Sequence, residues 1–271
     1  MPGFEKDNPD KNVDALFIET TGRDDETRIA FSVTKHKLGT PNTSTIRVWN
    51  LSEQSRSRIR QGHAAVELWA AGELIARGGV LSAISTRDGA EIITEISLLD
   101  GFNGMTLGVY RRTLAKNYPL NKLVREIAKT MPGITVEQSR VTITGGLGYK
   151  GATMSGRAAD LLDGLADQFG FSWSVQDGHF QAIPDDKHLE KNTDVGSLIY
   201  ATPLLSGVGQ IETGVEFQTT LLPGVLPGEK VTIKPTVMQS LAGTYDAHLI
   251  THDGDSHADQ WTTTVQSMKQ L

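Results

Sequence analysis

Five side chains in the stretch His248-Leu249-Ile250-Thr251-His252-Asp253-Gly254-Asp255-Ser256-His257 have the chemistry to bind a metal ion: His248, His252, His257, Asp253 and Asp255. Imidazole and carboxylate together suit zinc. Their spacing works against it. Tyr245 to Thr251 reads as a strand, where a separation of four residues keeps one face but stretches His248 and His252 to about 13 Å apart. Asp253-Gly254-Asp255 is then expected to be a polar hairpin tip. Gly146-Leu147-Gly148-Tyr149-Lys150-Gly151 matches the G-x-G-x-x-G pattern that cradles a pyrophosphate when it joins a strand to a helix. A strand is predicted at Val141 to Thr144, but the next helix opens only at Ser155. Its N-terminus therefore cannot sit on the glycines, and the run is expected to be a flexible connection.

Carboxylate pairs at Asp24-Asp25 and Asp185-Asp186 fall in polar loop sequence. Neither pair has the contrast of environments that separates a general acid from a general base. Phe171 and Trp173 alternate in a hairpin pattern, which points to core rather than to a binding platform. No G-x-S-x-G elbow, Walker-type loop or H-E-x-x-H helix occurs, and the absence of cysteine removes thiolate nucleophiles, thiolate zinc sites and disulfides together. The sequence thus nominates no catalytic, cofactor-binding or metal-binding residue and implies no cofactor.

The elements that would carry these residues change character twice along the chain. Short strands are predicted at Ala15 to Glu19, Ile29 to Thr34, Thr45 to Trp49, Ala65 to Trp69, Val80 to Ser85 and Glu91 to Leu98. A short helix, Glu53 to Gln61, interrupts them with Ser52 as N-cap, and Asp88-Gly89 marks a hairpin. The period then becomes helical. Leu120, Leu123, Val124, Ile127, Ala128 and Met131 share one face behind Pro119, and Ala158, Leu161, Leu162, Leu165 and Phe169 share another before Gly170. Phe171 to Val175 and Phe180 to Ile183 form a hairpin about Asp177-Gly178. Strand pattern returns from about Ile199, in Val215 to Leu222, Lys230 to Lys234, Tyr245 to Thr251 and Trp261 to Gln266. The reading is a mainly β protein with an α+β insert: residues 1–110 and 191–271 are β-barrel or sandwich domains flanking a module at 111–190. Any repeat between the two β segments is architectural, because they do not align residue by residue.

With 271 residues, 38 % hydrophobic and 21 % charged, the chain can bury a sizeable core. No run reaches the length of a membrane-spanning helix, and the polar start MPGFEKDNPDKN lacks an export pattern, so the chain is expected to stay where it is made. A formal net charge of −6 opposes tight binding to nucleic acid through its phosphates.

Several segments, taken in order, resemble the baseplate hub proteins of Mu-like contractile-tailed bacteriophages. Asn42 to Ser52 is similar to the strand-then-"NLS" signature near the hub's start, followed by a short helix and a strand such as Val66-Glu67-Leu68-Trp69. Gly79 to Ile84 and Leu98 to Gly101 occupy corresponding places. Ser155 to Phe180 resembles the middle module. Leu222-Pro223-Gly224, Pro227-Gly228, Tyr245 to Asp255 and Trp261-Thr262-Thr263 resemble the closing strands. The resemblance covers about Ala15 to Val265. It implies two tail-tube-type β-barrels and a homotrimeric ring that joins the tail tube, or a tube-initiator protein, to the central spike and contacts baseplate wedge proteins. It also implies DNA passing through the lumen without specific binding, and a place in the virion baseplate after assembly in the host cytoplasm. The corresponding part of a tailocin or other contractile injection machine fits the same residues, and a ligand-binding or hydrolytic β protein is the competing class.

Overall fold

The computed structural model describes residues 16–20, 27–60, 65–148, 151–206, 211–234, 241–259 and 261–268. Alternating side chains shape the first β group, which comprises β1 (Leu16–Thr20), β2 (Ile29–His36), β3 (Thr43–Trp49), β4 (Ala65–Ala70), β5 (Glu73–Asp88) and β6 (Glu91–Leu99). In β2, Ile29, Phe31 and Val33 are buried while Ser32 is exposed, the period of two expected of a half-covered strand. Helix α1 (Glu53–Arg60) starts as predicted, with the Ser52 hydroxyl accepting the Ser55 N–H at 3.1 Å. Ala15 and Gln61, the outer limits predicted for the first strand and this helix, lie outside the described residues.

The inserted module contains α2 (Phe102–Leu107), β7 (Val109–Leu114), α3 (Leu120–Ala128), β8 (Thr135–Val141), β9 (Ala152–Arg157), α4 (Ala158–Phe169), β10 (Phe171–Gln176) and β11 (His179–Pro184). The apolar faces of α3 and α4 bury Leu123, Ile127, Leu162 and Leu165 against Trp173 and Phe180 of the hairpin. Asp177 and Gly178 both take positive φ, 54° and 81°, as a two-residue hairpin turn requires. Two predictions shift here. The strand expected at Val141 to Thr144 lies earlier, as β8. The helix expected to open at Ser155 opens at Ala158, because Ser155 is committed to β9 and pairs with Arg111 of β7.

The last group comprises β12 (Asn192–Val195), β13 (Leu198–Ser206), β14 (Ile211–Thr220), β15 (Lys230–Ile233), β16 (Gly243–Asp255) and β17 (Trp261–Met268). Its pairing repeats that of the first group. Numbering the strands one to six within each group, both run in the order 1-4-5-6-3-2, with the 1–4 pair parallel and every other pair antiparallel. Even the irregularities coincide: β5 shifts register between Val80 and Ser82, and β16 between Ala247 and Leu249. The groups join through β2 and β16, which pair antiparallel from His36–Leu249 to Ala30–Asp255, giving one twelve-stranded sheet.

Each group encloses its own core, one containing Ile18, Phe31, Ile46, Leu68 and Ile96, the other Val215, Phe217, Val231, Ile250 and Val265. A flat sheet covered only by α1 would leave most of these side chains wet, so each group must curl about its interior. The hydrogen-bonded ladder itself is open. Among the described residues it runs from β1 to β13 without closing either group into a barrel.

Candidate assembly interface

The residues with chemical potential turn out to be dispersed. His252 is fully buried in β16, its Nδ1 2.9 Å from the Thr263 hydroxyl. Burial, then the positive charge of Lys35, lowers its pKa to about 3, so the ring is neutral. His248 sits at the register shift of the same strand, half-buried, and His257 lies beyond its end. Asp253-Gly254-Asp255 is not the hairpin tip expected from its composition. All three residues belong to β16, and Asp255 clasps the Arg28 guanidinium at 2.7 Å while accepting the His257 N–H at 2.9 Å. Among the described residues no three His, Asp or Glu side chains are grouped to hold a metal ion.

The glycine run is a connection of close backbone approaches. Leu147 donates to the Tyr118 carbonyl, and a Cβ on Gly151 would stand 2.7 Å from the Leu114 carbonyl oxygen. It leads into strand β9 rather than a helix, which leaves a phosphate no ring of helix N–H groups. Tyr149 and Lys150 lie outside the described residues, as do Asp24 and Asp25. Asp185 accepts the Ser172 hydroxyl at 2.7 Å at the base of the β10–β11 hairpin. Trp173 is core: its ring stacks on Phe180 at 5.9 Å and its indole N–H donates to Asp163.

A buried polar seam, invisible to motif reading, fixes the module to the first β group. Asp100, just after β6, accepts the backbone N–H groups of Asp177 at 2.6 Å and Gly178 at 3.0 Å. The Lys35 ammonium meets the Asp177 carboxylate at 2.6 Å with its side chain only 1 % exposed. Asn42 accepts the His36 N–H and donates to the Val175 carbonyl and the Gln176 side chain, and Gln176 donates back to the His36 carbonyl. Burial, then repulsion from Asp177, pushes the Asp100 carboxyl up to about 8, against Lys35 and the two N–H donors, which favour the anion. A second contact ties the module to the last group: Gln181 donates to the Pro227 carbonyl at 2.9 Å, and Leu189 to that of Gly228. These contacts hold the α+β insert against both β groups.

Beyond the seam, the surface carries apolar side chains that the chain itself does not cover. Leu81 and Ile84 stand on the outer half of β5, and Ile199 and Tyr200 on β13. Phe102, Leu107 and Val109 are exposed on and just after α2, near a cleft of about 320 Å³ lined by Gly78, Leu99, Asp100, Phe102 and Ile134. Among the described residues no helix is long and apolar enough to cross a membrane.

No protein-family model and no curated protein sequence matches the chain. Solved structures do. The 43 kDa tail protein of prophage MuSo2 from Shewanella oneidensis superposes with a TM-score of 0.63 at 12 % identity, over 91 % of this chain and 98 % of that one. The chain has a phage tail-protein fold. A tail protein from Neisseria meningitidis MC58 matches with the same TM-score at 9 % identity, over 90 % of this chain and 96 % of that one. The E. coli c3393 protein, a type VI secretion component described as similar to the T4 tail proteins gp27 and gp5, gives 0.55 at 10 % identity over 92 % of this chain and 76 % of its own. The tail-protein fold agrees with the hub resemblance carried by Asn42 to Ser52 and the segments after it.

Proposed function

We propose that the chain is a structural hub of a phage tail baseplate: a ring of three copies that joins the tail tube, or its initiator, to the central spike. The observation that carries this reading is the doubled 1-4-5-6-3-2 strand order inside a tail-protein fold. Two alike units per chain give a trimer six similar faces around its axis, matching a sixfold tube on one side and a threefold spike on the other. In this reading the six-stranded groups within residues 1–110 and 191–271 are the tube-type units, curled like barrels, and 111–190, joined by α2 and the start of β7, is the insert held by the Asp100–Asp177 seam. The protein acts by geometry and performs no catalysis. Its groups with catalytic potential are engaged in structure, as His252 and Asp255 are.

Assembly in the host cytoplasm, a final place in the virion baseplate, contact with wedge proteins and unspecific passage of DNA through the lumen complete the proposal. The likeness to the type VI component favours one second reading, the equivalent ring of a tailocin or other injection machine. Electron microscopy of assembled tails tests the assignment. Density for three copies on the axis between tube and spike is expected; a peripheral position, or a different copy number, overturns it.

A further inference from the structure

The doubled fold leaves one pairing site filled within the chain and, among the described residues, its counterpart empty. In the last group, β16 uses one edge twice: Gly243 to Asp246 pair with β15, and beyond the register shift Leu249 to Asp255 pair with β2. In the first group, β5 is the equivalent of β16. Its residues Glu73 to Gly79 pair with β4 in the same way, and Asp246–Lys230 corresponds to Gly79–Ala65 at the last pair before the shift. Beyond the shift, however, Ser82 to Asp88 bond only to β6, and no described strand takes the other edge. The consequence shows in exposure. Residues 249–255 alternate between half-buried and buried, whereas Ile84 to Asp88 are all exposed, and Leu81 and Ile84 are 62 % and 59 % exposed.

The strand suited to this edge is equally identifiable. What fills the β16 edge is β2, the second strand of the first group; its equivalent, β13, ends the sheet and pairs, among described strands, only with β14. Within one chain β13 and the outer half of β5 are not paired and the ladder stays open between them, whereas a second copy offers this edge the same strand. We infer that β13 of one copy adds antiparallel to the outer half of β5 of the next, repeating between chains the β2–β16 joint found within each. This deepens the ring reading and rests on it for the number of copies, since a head-to-tail joint of this kind closes into a ring whose size is set by the rotation per unit.

The register follows from the internal copy. Ser32 and Thr202 face equivalent residues, Thr45 and Glu216, of the third strands, while Asp253 and Thr86 face Thr262 and Ile93 of the sixth. Because Ser32 pairs with Asp253, Thr86 is placed opposite Thr202, and by the same mapping Ser85 falls opposite Pro203 and Asp88 opposite Tyr200. The joint would cover Ile84 and remove a long β edge from water, which natural proteins seldom leave bare. Pro203 supplies no N–H, so the seam forgoes one potential donor.

The absence of cysteine makes the test direct. Residues opposite each other on antiparallel strands lie within disulfide reach. Oxidised T86C/T202C in the full chain should give covalent multimers ending in a closed trimer with every thiol consumed, while each single-cysteine variant stays monomeric on denaturing gels. S32C/D253C, the internal equivalent, should close within one chain and serves as the geometric control. Ile84→Asp should abolish the multimers and leave the melting temperature of the separated chain unchanged. If threefold rings form but T86C/T202C links no better than the single variants, the strand pairing is wrong and the hub assignment stands. If the linked species closes at another number of chains, the pairing stands and the threefold reading falls. If neither rings nor links form with the internal control closed, both fail.

Discussion

Lys35 and Asp177, 142 positions apart in sequence, form an ion pair of 2.6 Å at the point where the inserted module meets the first β group. Lys35 thereby places a positive charge against Asp177 and near the Asp100 carboxyl, which binds the backbone of the same turn. Removing the cation leaves the Asp177 carboxylate without its counter-charge in a largely buried site. Lys35→Met is therefore expected to destabilise the chain by about 3–5 kcal/mol in urea unfolding. K35M/D177N, which removes both charges of the pair, should cost clearly less than K35M alone. Equal losses would mean that the pair contributes packing rather than charge compensation.

The same seam makes stability depend on pH with a definite sign. Asp100 has a folded pKa near 8, above the unfolded value of 3.8, so its contribution is complete in acid and is lost as pH rises from about 4 through about 8. His252 acts oppositely. Its folded pKa near 3 lies below 6.5, so stability drains away as pH falls from about 6.5 towards 3. Each group changes stability by at most about 1.4 kcal/mol per pH unit, and the two slopes oppose each other between about pH 4 and 6.5. Urea midpoints measured across pH should show Asp100→Asn flattening the decline between pH 6.5 and 8. An unaltered slope there would show that Asp100 is ionised throughout.

A glycine controls how closely the two parts approach. A Cβ on Gly39, in the β2–β3 turn, would lie 2.6 Å from the Trp173 ring, which Phe180 and Asp163 hold in place. Gly39→Ala must push the turn or the indole aside, with an expected loss of about 1–3 kcal/mol. The near-UV circular dichroism of Trp173 should change with it. A variant as stable as the parent, with an unchanged spectrum, would show that the turn yields freely.

Local chemistry made much of this architecture legible. Ser52 announces α1, Asp177-Gly178 announces its hairpin, and the alternation in β2 survives in the burial of Ile29, Phe31 and Val33. What failed was decided at a distance. Gly254 reads as a turn residue, yet it lies within β16 because the Phe31 ring fills the place of its Cβ, 2.5 Å away. Ser155 reads as a helix cap, but β7 claims it for a strand. The repeated strand order leaves no trace in sequence, since equivalent core positions carry Ile46 in one unit and Phe217 in the other, or Val48 and Thr219. The seam was unreadable for a related reason: Lys35, Asp100 and Asp177 are ordinary surface residue types until the fold brings them together.

If the chain lines a passage for DNA, it should let phosphate slide past without holding it. Tight binding needs clustered cations free to displace the counterions of the duplex. Here the formal charge is −6, and several cations are already engaged by carboxylates: Arg47 by Glu95, Arg112 by Glu126, Arg157 by Asp160 and Lys234 by Asp194. The exposed end of the β5–β6 hairpin carries Arg87 with Asp88 and Glu91, so a phosphate approaching it meets more acid than base. Fluorescence anisotropy with a labelled duplex at about 150 mM salt is therefore expected to show binding no tighter than the non-specific range of about 10⁻⁴–10⁻⁶ M. Lowering the salt should strengthen it only slightly, because few ion pairs with phosphate can form. Submicromolar affinity with a steep salt dependence would place a cationic surface on the assembled ring and overturn the passive-lumen reading.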